Sequence, residues 1–384
     1  MKILTVDVGT GTQDIFLYDS NLDIENGFKL ILPSPTMMVY RKIQSATTRQ
    51  TAICLTGGIM GGGPSSWAVD AHLRAGLKVF ATPQAAQTIN DDLEAVKQLG
   101  VIIVSDDEAG RLPDNVEKVK FSDFDFPAIE AVFNRFGVSL NKLAAVAVAV
   151  FDHGDAPPEI SDRAFRFEYL DQIIRTHNSL RAFAFPANEI PPIMTRLQSV
   201  VDSAGQLPAP LIVMDTAPAA VLGATFDPKV AARPRQLIAN VGNFHTIAFR
   251  LGSGGIEGVF EHHTGLLNAE KLDQLLIALA AGSLTNEEVF GHHGHGALIY
   301  GQEPLALDNE EFNLVLTGPR RNLLINSKLK TYNAVPFGDM MIAGCFGLLA
   351  SVSHVLPELA QTIDNSLKGL GGSGTPPWEI EENN

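Results

Sequence analysis

Cysteine is almost missing from this sequence: Cys54 and Cys345 stand far apart in a chain of 384 residues. Two isolated thiols exclude a disulfide framework and a clustered Cys metal site, and they fit a reducing compartment such as the cytoplasm. Basic charge is also scarce. Lys and Arg total 28 against 43 Asp and Glu, which leaves a net charge of −15. Such a chain repels polyphosphate backbones at long range, so DNA and RNA are disfavoured as partners. An anionic ligand would have to be held locally, by backbone N–H groups or through Mg²⁺. Long apolar runs are lacking too: the stretches 143–151 and 340–352 are too short to span a bilayer. The opening Met1-Lys2-Ile3-Leu4-Thr5-Val6-Asp7 acquires charge too early for a signal peptide. The expectation is a soluble, cytoplasmic protein with no membrane partner.

What is present is the composition of a globular chain with a large core, 45% hydrophobic and 18% charged. The length suggests two domains at roughly 100–200 residues each. Residues 2–8 and 14–18 read as two strands of a hairpin turning at 9–12, and 28–32 as a third strand. Further strands are expected at 52–55, 79–81, 101–104 and 144–151, with helices at 64–74, 84–99 and 128–136. This alternation predicts an α/β sheet with a parallel portion. Ala204–Pro210 has the composition of a linker. Beyond it come a strand (211–214), a helix (218–224), two strands (237–241 and 245–251) and a final helix (339–354). The Gly-, Pro- and acid-rich 371–384 reads as a disordered tail.

Phosphate groups need dense backbone N–H donors, and those need tight Gly-containing turns. Two hairpin tips offer them. The first half contains Val6-Asp7-Val8-Gly9-Thr10-Gly11-Thr12-Gln13-Asp14, and the second Ile238-Ala239-Asn240-Val241-Gly242-Asn243-Phe244-His245-Thr246. Facing each other, they would grip a triphosphate from both sides. Asp7, at the base of the first, would orient the waters of a Mg²⁺ ion. Either turn alone also suits an ordinary structural hairpin.

The order of further segments resembles the superfamily of actin, sugar kinases and heat-shock chaperone ATPases. Asp7–Thr12 resembles its first phosphate motif, and Asp215–Ala224 its first connecting helix. Asn240–Thr246 resembles the second phosphate motif, Leu316–Leu323 the adenosine motif, and Ala343–Gly347 the second connecting helix. The resemblance implies an α/β fold of two actin-like (ribonuclease H-like) domains with a nucleotide cleft between them, and ATP with Mg²⁺ as cofactors. It implies a first domain over 1–207, a second over 208–340, and a connecting helix over 341–370 that returns to the first. The implied cofactor contacts are Gly9, Thr10, Gly11, Thr12, Asp215, Asn240, Gly242, Asn243, Gly318, Pro319, Arg320 and Gly344, with Asp7 as metal ligand. The second phosphate motif usually carries Asp where this chain has Asn240, which supplies no charge to a metal-bound water. The adenosine turn has Gly318-Pro319 in place of the commoner paired Gly.

The whole chain also resembles a prokaryotic family labelled "putative pyruvate formate-lyase activating enzyme". Radical activases hold an iron–sulfur cluster through three closely spaced Cys. Two distant Cys cannot do so, and "activating" could then only describe an ATP-driven partner.

Three other segments carry candidate chemistry. Thr56–Ser66 has five Gly in seven residues, follows a strand and opens a helix; it is either an anion cradle or a flexible surface loop. On the first reading Gly61, Gly62 and Gly63 hold a substrate's carboxylate or phosphate; no P-loop Lys is present. Asp152 ends an apolar strand, where α/β ligands bind, and is a candidate general base or else a turn cap. Six of ten His lie between His245 and His295. His262 and His263 are candidate substrate contacts, metal binding and structural roles being the alternatives. Adjacent residues of a strand point to opposite faces, so only one of the two could face a shared site.

Taken together, these features lead to the expectation of an ATP-dependent phosphotransferase acting on a small metabolite, with Asp7 and Asp152 catalytic. The alternatives are an ATP-driven factor that activates a protein client, or a non-catalytic nucleotide-binding scaffold that could homo-oligomerise.

Overall fold

The computed structural model describes residues 1–157, 159–372, 374 and 376–379. Among the described residues sixteen strands follow one another in chain order. β1 (Lys2–Val8), β2 (Thr12–Asp19) and β3 (Phe28–Pro33) are followed by β4 (Ile53–Gly57), β5 (Val79–Ala81), β6 (Val101–Ile103) and β7 (Glu117–Phe121). Next come β8 (Leu143–Val150), β9 (Ala184–Pro186), β10 (Leu211–Asp215), β11 (Gln236–Val241) and β12 (His245–Gly252). β13 (Gly255–His263), β14 (Gly296–Ile299), β15 (Leu314–Thr317) and β16 (Thr331–Asn333) complete the set.

They form three sheets. The first has the order β3-β2-β1-β8-β10-β9 and the second β14-β13-β12-β11-β15-β16. In the first, β1, β2 and β3 pair antiparallel, and β8 and β10 extend the sheet parallel to β1. In the second, β11, β12 and β13 repeat the antiparallel set, and β15 and β16 repeat the parallel extension. The order β3-β2-β1-β8-β10 recurs as β13-β12-β11-β15-β16, each opening on a Gly hairpin, with β9 and β14 added at opposite edges; this is the duplicated ribonuclease H-like architecture of the actin class.

Local chemistry explains these elements. β8 reads LAAVAVAV and is central, flanked by β1 and β10; Ala145–Val150 are fully buried on both faces, as a parallel central strand requires. The Thr216–Ala224 helix starts where the Asp215 carboxylate accepts from Ala217 N–H at 3.0 Å. It crosses the Ala343–Val355 helix at backbone contact. A Cβ on Gly223 would lie 1.7 Å from the Ala343 carbonyl, and one on Gly347 1.9 Å from that of Ala219.

The fold departs from the sequence reading in three places. The apparent linker 204–210 lies inside the first unit, because β10 pairs with β8; the second sheet begins at Gln236, so a boundary at 208 falls too early. The helix expected over 84–99 is two short ones, Pro83–Gln87 and Leu93–Gln98. Residues 53–121 carry a separate four-stranded parallel sheet, β6-β5-β4-β7, whose core joins Leu55, Val79 and Phe121 to Ile43 of the preceding Pro35–Thr48 helix. It is an insertion between β3 and β8. Residues 373, 375 and 380–384 of the expected tail lie outside the described residues. Among the described residues no helix is long and apolar enough to cross a membrane.

Candidate functional site

A cavity of about 440 Å³ opens between the first sheet, the second sheet and the insertion. Both Gly hairpins form its walls. Gly9 N–H donates to the Thr12 carbonyl at 2.9 Å, and Gly242 N–H donates to that of His245 at 2.9 Å. The two turns are closed by the same bond. They face each other closely: a Cβ on Gly11 would sit 2.8 Å from Asn243 Nδ2. Gly9, Thr10, Gly11, Thr12, Asn240, Gly242 and Asn243 all line the cavity.

Below the first tip two carboxylates are paired across the ladder, Asp7 opposite Asp14. Asp7 accepts from Thr216 Oγ1 at 2.5 Å. Burial pushes its pKa up to about 6, against the Thr216 hydrogen bond and with help from the Asp215 charge. Asp14 is pushed up to about 7 by burial and by the Asp7 charge, and its Oδ1 has no hydrogen-bond partner. Two crowded carboxylates, one with an orphaned oxygen, fit a hard divalent cation such as Mg²⁺. Asp14 escapes sequence reading because only the hairpin register puts it beside Asp7.

Gly344, at the start of the second connecting helix, lines the same corner. On the second side β15 ends in a turn where Gly318 has φ +93°, and a Cβ there would lie 2.4 Å from Asn240 Oδ1. Gly318 and Pro319 line the cavity. Arg320 does not: its side chain is exposed, and Arg321 takes the place on the wall, donating to the Gly318 carbonyl at 2.9 Å.

The insertion supplies the third wall through Gly61, Gly62 and Gly63. This loop is held, not free. Gly61 N–H donates to Asp123 Oδ1 at 3.2 Å, and Arg196 clamps Asp123 at 2.6 and 3.1 Å. Arg196 also lines the cavity, as does Phe244, whose ring contacts Trp67 of the insertion at 5.5 Å between centroids.

Aromatic rings close the remaining side. Phe151 stacks on His245 at 4.1 Å and 9°, and the Arg166 guanidinium lies 4.0 Å from the Phe151 ring centre. Arg166 is fully buried and bridges Glu261 (2.8 Å) and Asp215 (2.6 Å). Phe151, His153, His245 and His263 line the cavity. Burial and the nearby Arg166 and Arg196 charges push the His153 pKa down to about 3. His245 is driven well below its ordinary value by burial and then by His153.

Three sequence candidates fall elsewhere. Asp152 is off the wall: its carboxylate accepts from Gly154 N–H at 2.9 Å and Leu197 N–H at 2.8 Å, so it ties the end of β8 to the Thr195–Ala204 helix. Asp215 is consumed by its helix cap and by Arg166. His262 is buried on the opposite face of β13 from His263, with Nδ1 3.1 Å from the His263 carbonyl oxygen.

The duplicated strand order around a central cleft defines the fold class as actin-like. Within it, residues 60–323 match the family described as "Putative pyruvate format-lyase activating enzyme (DUF1786)", and the chain belongs to that family. No curated protein matches the sequence. Among solved structures, the chain is similar to the activator of the 2-hydroxyisocaproyl-CoA dehydratase from Clostridium difficile with bound ADPNP, at 10% identity and TM-score 0.33, over 95% of this chain and 98% of that one. It is similar to the ROK hexokinase from Thermus thermophilus at 11% identity and TM-score 0.29, over 91% and 98%. A ROK family transcriptional regulator, a homolog of the E. coli MLC protein, is matched at 8% identity and TM-score 0.25; 66% of this chain is covered, and it spans only 37% of that regulator's length.

Proposed function

We propose that the chain binds ATP with Mg²⁺ in this cleft and transfers the terminal phosphoryl group to a small acceptor held against the insertion. The observation that carries the reading is the opposition of two identically closed Gly turns above the Asp7–Asp14 pair. Their N–H groups would hold phosphate oxygens, and Gly318 and Pro319 would border the base. When bound, Mg²⁺ would supply charge neutralisation for the phosphates, with Asp7 and Asp14 as its protein ligands. Gly61 N–H and the Arg196 guanidinium are already engaged by Asp123, so the N–H groups of Gly62 and Gly63 would be the donors to an anionic acceptor at this wall.

A second reading is an ATP-driven switch acting on a protein client. Two observations favour it. The Asp152 carboxylate accepts from two backbone N–H groups and does not line the cavity, and Asn240 lacks the charge that would hasten hydrolysis.

Calorimetric titration of ATP, with and without Mg²⁺, tests nucleotide binding. Wild type should bind only the Mg²⁺ complex well, and Asp7→Ala should lose most of that affinity. Absence of binding to wild type would sink both readings. A metabolite screen for accelerated ADP release then separates them, since only the phosphotransferase responds to a small acceptor.

A further inference from the structure

Beside the proposed phosphate site lies a cluster that nucleotide binding does not use. His245 opens β12, His263 ends β13, and His295 immediately precedes β14. Each offers one ring nitrogen, and the three nitrogens lie within 4.8 Å of one another. Ring centroids are 5.3 Å apart for His245 and His263, 4.9 Å for His245 and His295, and 4.7 Å for His263 and His295.

We infer that His245, His263 and His295 bind a late first-row divalent cation of the Zn²⁺ or Fe²⁺ type, with an open coordination position facing the cleft. Tetrahedral ligation at ~2.1 Å puts nitrogens about 3.4 Å apart, so the rings need close by only about an ångström. The surroundings are those of a built site. Phe151 fixes the His245 ring by stacking. His295 is fully buried, its Nδ1 unpartnered and 3.5 Å from Glu261, which Arg166 holds in turn. A carboxylate behind a ligating imidazole sets ring orientation and raises basicity. His245 and His263 line the cavity, so the ion would be open to a ligand there. The donor set is all nitrogen, which suits a borderline-soft ion and not Mg²⁺. The cleft would then hold two unlike metals: a hard ion at Asp7–Asp14 and a softer one at the imidazoles, within reach of an acceptor's oxygen or nitrogen.

The test is Co²⁺ titration of tag-free, metal-stripped full-length protein, followed by visible absorption and by metal analysis after dialysis. One ion per chain, with the d–d bands of nitrogen ligation, is expected for wild type and for His292→Ala, which alters an exposed imidazole outside the cluster. His245→Ala and His263→Ala should each weaken binding by roughly 10-fold or more. Wild-type protein without saturable Co²⁺ binding would overturn the inference whatever the variants do, and so would unchanged binding in both cluster variants. No nucleotide is used, and Asp7→Ala should retain the ion, so this site and the ATP site fail or stand separately.

Discussion

Gly344 lies so close to Asp7 that a Cβ there would fall 1.8 Å from its Oδ2. The second connecting helix therefore starts directly on the carboxylate proposed to face Mg²⁺. The nearest atoms all belong to the Asp7 side chain, Oδ2, Cγ and Cβ, so the carboxylate itself would have to move. Gly344→Ala is expected to push Asp7 off its Thr216 partner and to cost about 1–3 kcal/mol of stability. Affinity for Mg²⁺–ATP should fall by roughly 10-fold or more. Thermal unfolding and calorimetry read the two effects; unchanged affinity would show that the contact does not position Asp7.

Asp14 makes the folded protein carry a carboxylate it would sooner hold protonated. Its folded pKa of about 7 lies above the ordinary 3.8. Between those values the native state binds more protons than the unfolded one, so this group's stabilising effect is present at low pH and is lost as pH rises towards 7. Asp14→Asn should therefore stabilise the nucleotide-free protein above pH 7, by about 1–2 kcal/mol. The gain should vanish below about pH 4, where Asp14 is neutral in both states. Melting temperatures of both proteins across this range check it. A gain that persisted at low pH would point to packing and not to charge.

Arg166 balances two buried carboxylates from opposite halves of the cleft, Asp215 at the end of β10 and Glu261 on β13. Arg166→Met leaves both without a counter-charge and is expected to cost about 3–5 kcal/mol. Denaturant unfolding measures this. A loss below about 1 kcal/mol would mean that water or protons replace the guanidinium cheaply.

Asp152→Asn separates a strut from a base. The substitution keeps one acceptor but puts an amide N–H against a backbone donor, at an expected cost of about 1–3 kcal/mol. ATP turnover per folded molecule should stay within about an order of magnitude of wild type, where loss of a general base would cost ~10²–10⁴. A collapse of turnover with stability intact would restore Asp152 as a catalytic group.

Much of the frame was legible because its signals are local. A Gly turn between two apolar strands, and small residues spaced along a helix, can be read within a dozen positions; 9–12, 216–224 and 343–347 are such cases. The insertion was harder, since β4, β5 and β6 look like any α/β strands, and only the pairing of β4 with β7 separates their sheet from β1. The ring cluster was illegible for another reason. His245 and His263 lie on different strands, His295 just before a third, and Phe151 and Arg166 come from the other half. Even the choice between Arg320 and Arg321 depended on which way a four-residue turn rotates its side chains.

The four-stranded sheet of 53–121 packs on the Pro35–Thr48 helix around a core separate from that of the first sheet, and its Gly loop is tied at the cleft through Asp123 and Arg196. The wall proposed to face the acceptor is thus built on a different sheet from the two Gly turns. Changes within 53–121 would then reshape the proposed acceptor wall while leaving the helix crossing at Gly223 and Gly347 in place. Divergence among relatives should gather in that middle segment, and swapping it between them is the direct way to trade one appetite for another.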